Sequence, residues 1–132
     1  MRSQWLVLAP LISLVACAAT PVPGKPLEFE LAVGERVTLD DQSAAIEFVR
    51  VTDESRCPSD VTCVWAGDAR VALRVTGSPG TVDTALHTTS PDRTLTHGAY
   101  ILELLTLTPA PVSTAPIDPA TYRVRLRLSV RE

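Results

Sequence analysis

The chain has 132 residues, a net charge of −3 and only 5 % aromatic residues. Its length fits one domain of ordinary size. These values argue against nucleic acid as a partner, because the acidic chain has no cluster of basic residues and too few aromatic side chains to stack on bases.

The sequence predicts an export signal at the amino terminus. Arg2 precedes a mostly apolar segment at 5–16, whose twelve residues would form a helix of about 18 Å, well short of the ~30 Å hydrocarbon core of a bilayer. This length is typical of a signal peptide and too short for a comfortable membrane span.

The end of that segment, Leu-Val-Ala-Cys at 14–17, resembles the lipobox of secreted bacterial lipoproteins. The resemblance implies that residues 1–16 are a lipoprotein signal peptide and that Cys17 becomes the lipid-modified first residue, which makes the membrane a partner. Because Ala18 rather than Asp follows the cysteine, it also implies the periplasmic side of the outer membrane in a cell with two membranes. The alternative is an ordinary signal peptide, cut near 18–19, that releases a soluble protein.

Residues 17–26 are then predicted to be the lipidated cysteine and a tether. Its three prolines favour an extended chain, so the nine residues after the cysteine reach at most about 28 Å. A single folded domain is predicted over 27–132. Without Arg2 the mature chain has eleven basic and fifteen acidic side chains, a net charge of −4.

Strand signals dominate from Leu27 onward, and no stretch keeps a helical period over three turns. The predicted strands lie at Leu27–Val33, Val37–Leu39, Ile46–Val51, Val71–Val75, Val82–His87, Tyr100–Leu107 and Tyr122–Val130. Seven or eight short strands separated by turns predict an all-β fold, an antiparallel β-sandwich of the immunoglobulin type or similar, with a small β-barrel as the alternative.

Three of these strands carry more specific expectations. The strand at 46–51 has apolar residues on both faces, so it is either buried on both sides or changes phase at a bulge. The strand at 100–107 is expected to be central and covered on both sides. In the last strand, arginines at alternate positions should face outward and pair with Glu28 and Glu30 of another strand.

Cys57 and Cys63 are the only cysteines that remain once Cys17 carries lipid. Because exported compartments are oxidising, we expect a disulfide between them. It would close a ring of seven residues, and so short a ring is expected to contribute about 2 kcal/mol to stability. A redox or metal pair is the alternative, although this spacing is neither the C-x2-C of redox sites nor the usual zinc spacing.

The segment 53–68 around these cysteines is the most distinctive part of the predicted domain. It resembles the D-x-S-R-C-P…C-x-W-x-G segment of a group of small, uncharacterised bacterial secreted proteins and lipoproteins. The resemblance extends loosely from Leu27 to the final strand, and it implies a β-rich body after a lipobox. It implies no activity.

Two interpretations of this segment remain open. Trp65 could stack on the disulfide as one rigid unit, much as an indole packs on a bridge in sandwich cores. Alternatively, the loop is presented to a partner, with Arg56, Asp60 and Trp65 as the contact residues, because Trp and Arg are frequent interface anchors and short rigid loops bind with little ordering cost.

No pattern in the chain predicts a catalytic, metal or cofactor site. The carboxylates nearest the cysteines lack the spacing of an EF-hand loop; they are Asp53, Glu54, Asp60 and Asp68. His87 and His97 are expected to be solvated, and there is no G-x-S-x-G motif or free cysteine to supply a nucleophile. The sequence therefore predicts that the protein is not an enzyme.

The expected function is that of a lipid-anchored protein of the cell envelope, a binding or structural module with an envelope protein as its partner. The alternative is an inhibitor of a secreted hydrolase, such as a protease or a lysozyme, whose cleft would receive the Cys57–Cys63 loop.

Overall fold

The computed structural model describes residues 25–39, 44–89, 91–113 and 115–131. The predicted signal peptide at 1–16, the acylation site Cys17 and the tether as far as residue 24 lie outside this part of the chain. Within it, no helix is both long and apolar enough to cross a membrane.

Eight strands form two separate antiparallel sheets of four strands each. The strands are β1 Leu27–Ala32, β2 Arg36–Thr38, β3 Ala45–Glu54, β4 Ala69–Gly77, β5 Gly80–His87, β6 Thr94–His97, β7 Tyr100–Thr108 and β8 Arg123–Val130. One sheet has the order β1-β8-β7-β6 and the other β2-β3-β4-β5. The sheets do not close into a barrel, so the predicted antiparallel β-sandwich is confirmed.

The core lies between the two sheets, where every strand with an alternating sequence places its apolar side chains. In β8, Val124, Leu126 and Leu128 are buried while the arginines between them face outward, as the sequence predicts. Val130, which the same alternation places inward, is exposed because it lies at the end of the strand. The largest fully buried side chains are Phe48, Ile46, Leu73, Leu104, Leu126, Val71 and Val124. Burial of these side chains is the main source of stability in a domain of this size.

Bulges explain the two strands whose apolar residues lie on both faces. In β3 the register shifts between Phe48 and Arg50, which confirms the phase change as the better of the two expectations. β7 is central in its sheet, but the expectation that both its faces are covered is wrong. Its register shifts between Leu104 and Thr106, and Leu105 on the outer side is only half-buried.

Two of the three outward arginines of β8, Arg125 and Arg127, are paired across strands. Arg127 bonds Glu28 of β1 at 2.8 Å and Glu103 of β7 at 3.2 Å, and Arg125 also reaches Glu28. The hydrogen bond from Arg127 holds the pKa of the Glu28 carboxyl below its ordinary value. The predicted cross-strand pairing is therefore confirmed for Glu28, and it satisfies arginines that could otherwise have attracted an anionic ligand.

The strands run between two ends of the sandwich, which we name the N-terminal pole and the loop pole. The first strand begins at the N-terminal pole, where Leu27 lies opposite Leu128 and Tyr100 lies opposite Val130. The loop pole consists of the β3–β4 connection, 55–68, and the β7–β8 connection, 109–122. At about 3.3 Å per residue, the eight residues of β8 separate the poles by about 26 Å.

Candidate functional site

The exposed large apolar side chains of the described residues all lie at the two poles, and none lies on the outer face of a sheet. Val61, Val64, Trp65 and Val112 are at the loop pole, whereas Leu27 and Val130 are at the N-terminal pole. Val64 is 91 % and Trp65 81 % exposed, the two largest fractions in this group. The loop pole is therefore the place where apolar surface is concentrated in solvent.

The β3–β4 connection begins as a continuation of the hairpin. The N–H of Ser55 donates to the Asp68 carbonyl at 2.7 Å, and the N–H of Cys57 donates to the Ala66 carbonyl at 2.9 Å. Gly67 has a φ of +68°, and a Cβ at this position would overlap the carbonyl oxygen of Ser55. The two sides of the loop thus approach closely before the disulfide ring projects beyond them.

Arg56 fixes the loop to the other sheet. Its guanidinium bonds both carboxylate oxygens of Glu54, with the shorter distance at 2.6 Å. It also donates to the carbonyls of Leu107 at 2.7 Å and Pro109 at 2.8 Å, where β7 ends. With only 14 % of its side chain exposed, Arg56 holds the pole together and is not displayed beside Trp65.

Glu54 connects this arginine to the core. Tyr122, buried just before β8, donates its hydroxyl to the second Glu54 oxygen at 2.9 Å. Burial opposes ionisation of Glu54, but hydrogen bonds from Arg56 and Tyr122 outweigh it, and the pKa of the carboxyl lies below its ordinary value. Burial and the bond to Glu54 raise the pKa of Tyr122 to about 12. The loop is thus tied to the sandwich by an ionised glutamate.

The ring is closed by the disulfide and is hydrogen-bonded to the β7–β8 connection. The predicted disulfide is present, with Cys57 and Cys63 linked and their Cα atoms 5.9 Å apart. The N–H of Ser59 donates to the carbonyl of buried Pro111 at 2.9 Å. The Asp60 carboxylate accepts the N–H of Ser113 at 2.6 Å, and this bond lowers the pKa of Asp60. Two connections far apart in sequence are therefore joined into one surface.

Trp65 does not pack on the disulfide, so the expectation of a buried indole is wrong. Cys63 is exposed and Cys57 only half-buried, because the bridge closes a loop outside the sandwich and does not lie between the sheets. Of the three residues expected to contact a partner, Trp65 and Asp60 are exposed to solvent. Arg56 is partly buried and bonds main-chain carbonyls of the other sheet.

Sequence reasoning overlooked the aliphatic part of this surface. Val61 and Val64 flank Cys63, and Val112 lies on the neighbouring connection beside Ser113. A signal was available for the first two, because apolar residues beside Pro, Ser and Asp in a segment without alternation have no strand face to enter. The contribution of Val112 depends on a contact between distant segments.

His87 is not freely solvated, contrary to expectation. Its Nδ1 pairs with the Asp68 carboxylate at 2.5 Å, and Asp68 also accepts the N–H of Thr89. Burial of Asp68 is outweighed by these bonds, and its pKa is lowered. The other ring nitrogen lies 3.4 Å from the Nε of Arg70, and the His87–Asp68 pair closes the base of the loop.

The carboxylates of the pole are engaged separately. Asp53 bonds Arg70, and the bonds of Glu54, Asp60 and Asp68 lead to three different neighbours. Across the described ranges, no three His, Cys, Asp or Glu side chains are grouped so that they could hold a metal ion. The cavity between the sheets that Ile46, Val75 and Leu102 line measures about 10 Å³, which is room for one water molecule.

The loop pole is thus a projecting surface with an apolar tip, held by a disulfide and by hydrogen bonds. Its chemistry suits contact with another molecule, since exposed apolar groups held in place lose little entropy on binding. Comparison of the chain with models of known families, with curated proteins and with solved structures finds no match.

Proposed function

We propose that the protein is a lipid-anchored module of the cell envelope that binds a partner through the loop pole and catalyses no reaction. The observation that carries this proposal is the display of Trp65 on a loop held by a disulfide, an arginine and main-chain bonds. An indole offers about 150–250 Å² of contact area, and Trp is among the residues most enriched at binding hot spots.

Rigidity supports a binding role for this loop. The ring is tied to β7 through Arg56 and to the β7–β8 connection through Ser59 and Asp60. None of these contacts covers Trp65 or Val64, so they hold the shape of the loop and leave its apolar side chains free. A loop that is ordered before binding gives up less conformational freedom when it meets a partner.

The anchor is tested at Cys17. The membrane-extracted protein should have an intact mass that matches a chain beginning at Cys17 and carrying acyl groups. Cys17→Ala should leave an unprocessed precursor or release the chain from the membrane fraction. An unmodified amino terminus at another residue would overturn the anchor and leave the binding surface to be tested separately.

Binding is tested with two valine variants of equal chemistry. The full-length protein is purified from its host after chemical cross-linking, as wild type, Trp65→Ala, Val64→Ser and Val130→Ser. Val130 is exposed at the other pole and serves as the matched control for Val64. Loss of a hot-spot side chain costs about 2 kcal/mol or more, so Trp65→Ala should reduce capture of the bound protein about 30-fold.

Capture that falls equally with Val64→Ser and Val130→Ser, or that is unchanged in Trp65→Ala, would overturn the binding surface. A second function, inhibition of a secreted hydrolase such as a protease or lysozyme, is favoured by the projecting shape of the ring, which can enter a cleft. It requires that the captured protein be a hydrolase and that a ligand of its active site displace this chain.

A further inference from the structure

The charges of the loop pole distinguish between classes of partner. Between Cys57 and Ala66 the only charged residue is Asp60, and its carboxylate is held by the Ser113 N–H. The guanidinium of Arg56 behind the ring is neutralised by Glu54. Residues 57–66 therefore carry one negative charge and no positive one.

This charge pattern disfavours a lipid surface. Segments that dock on bilayers combine Trp and aliphatic residues with Lys or Arg, and each cation near an anionic surface contributes about 1 kcal/mol. The ring has the aromatic and aliphatic residues, but its one charge would be repelled by anionic headgroups. A protein surface can instead supply an apolar depression together with a neutral or basic rim.

The ring lies far from the point where the chain enters the domain. The chain enters the sandwich at Leu27, on the N-terminal pole, and the ring lies at the other end of the strands, about 26 Å away. The predicted tether therefore joins the domain at the end opposite the ring.

We infer that the loop pole inserts Trp65 and Val64 into a concave apolar socket of an extracytoplasmic protein, with Asp60 at the rim facing a basic group. This inference rests on the proposed function, because it names the class of partner for the same surface. The tip is convex, so a flat or convex partner would leave much of the indole in water. A socket buries it fully and excludes water around the contact.

The test places a photo-reactive amino acid at position 64 of the full-length protein in its host, with position 81 as control. Thr81 is exposed on β5 at the N-terminal pole. A photo-reactive residue there therefore measures the background labelling of an exposed position at the opposite end of the domain. After illumination, adducts are identified by mass spectrometry. Position 64 should label one protein at least ten-fold above position 81, and Trp65→Ala should abolish that adduct.

The charge at the rim is tested with Asp60→Asn. Asparagine keeps a carbonyl oxygen that can accept the Ser113 N–H, so the ring should retain its shape while it loses the charge. Capture of the labelled protein should fall two- to five-fold and become less sensitive to salt. Unchanged capture and unchanged salt dependence would overturn the assignment of a basic group at the rim.

A lipid surface is tested directly with vesicles. Trp65 is the only tryptophan outside residues 1–16, so the emission of the mature protein reports on this position alone. Mixing with vesicles of zwitterionic lipid, or of zwitterionic and anionic lipid, should leave the emission of a Cys17→Ser chain lacking residues 1–16 unchanged. A blue shift, or a lipid adduct at position 64, would overturn the protein socket but preserve the loop as a contact surface.

Two further outcomes are decisive. An adduct between two copies of this chain would overturn the inference in favour of self-association through the loop poles. No adduct at position 64 above the level at position 81 would overturn both this inference and the proposed function, because the displayed tip would then touch nothing in the cell.

Discussion

The interior of the sandwich and the loop pole are stabilised in opposite ways. Between the sheets, apolar side chains such as Phe48 and Leu104 are fully buried, and polar groups are kept outside. At the loop pole the polar groups turn inward, with Arg56 bonded to Glu54 and to main-chain carbonyls, while Trp65 and Val64 lie in solvent. The pole therefore holds its shape without burying its apolar residues, which leaves them available for a contact.

The largest effect should come from the interior. Phe48→Ala removes a fully buried ring between the sheets and leaves a cavity, so unfolding by urea should show a loss of about 3–5 kcal/mol. The loss should appear equally in circular dichroism and in any probe of the loop, because the whole domain depends on this core. A loss below about 1 kcal/mol would mean that the two sheets are not packed as described.

Removal of the arginine should come next. Arg56→Ala deletes bonds to Glu54, Leu107 and Pro109 and leaves a partly buried carboxylate, so the expected loss is about 2–3 kcal/mol. Arg125→Ala, which removes an exposed pair with Glu28, is the control and should cost at most about 1 kcal/mol. If the two variants unfold at the same urea concentration, Arg56 does not fasten the loop.

The disulfide should have a similar but smaller influence. Replacing Cys57 and Cys63 together by alanine removes the constraint on a ring of seven residues, and the expected loss is about 2 kcal/mol. Urea unfolding of the double variant against the oxidised wild type measures it. The sandwich should keep its circular dichroism spectrum, and loss of the whole fold would show that the loop and the interior are not as separable as the comparison requires.

Acid should act on the pole through Glu54. Its pKa lies below the ordinary value of 4.5, so its stabilising effect is fully present above that pH and is lost as the pH falls through the folded-state value. Glu54→Gln should therefore be less stable than wild type at pH 7, and the difference should shrink below pH 4.5. Water screens this partly exposed group, so we expect an effect smaller than that of the bridge.

Melting curves of wild type and Glu54→Gln between pH 7 and pH 3 measure this difference. Glu30→Gln, at an exposed position of β1, is the matched control. A gap between wild type and Glu54→Gln that stays constant or widens on acidification would contradict the ionised link between Tyr122 and Arg56.

The smallest effect should come from the largest exposed side chain. Trp65→Ala should change the free energy of unfolding by less than about 0.5 kcal/mol, because the indole is 81 % exposed and leaves no cavity. Acrylamide should quench the fluorescence of free Trp65 efficiently. A destabilisation approaching that of Phe48→Ala would show that the indole is buried and would return the loop to a packing role.

The interior was largely predictable from sequence because each strand there has one buried face. The alternation of β8 and β1 determines which side chains point inward, and the antiparallel pairing then brings Glu28 to Arg127. β6 was missed because Thr94–His97 has only Leu95 as an apolar residue, and its pairing with β7 makes it a strand. The bulge of β7 likewise depends on its neighbours and leaves no distinct pattern.

The loop pole was predictable only in its covalent part. Two cysteines in a chain with a predicted export signal indicate a bridge, but the same residues are compatible with a packed or a displayed Trp65. The choice depends on Arg56, whose main-chain acceptors lie 51 and 53 residues further along the chain. A single sequence does not show which distant carbonyls will receive a guanidinium, so the role of this arginine emerged only from the structure.

The pairing of the first strand with the last has a consequence for the order of folding. Leu27 lies opposite Leu128, so β1 has no partner until about a hundred further residues are available. Until β8 inserts between β1 and β7, the sheet that carries both remains open and its apolar faces stay hydrated. The two sheets therefore differ in when they can be completed, because all strands of the β2-β3-β4-β5 sheet are present by His87 while the other sheet waits for the last strand. Pairings over such sequence distances also place the domain among folders that need milliseconds to seconds.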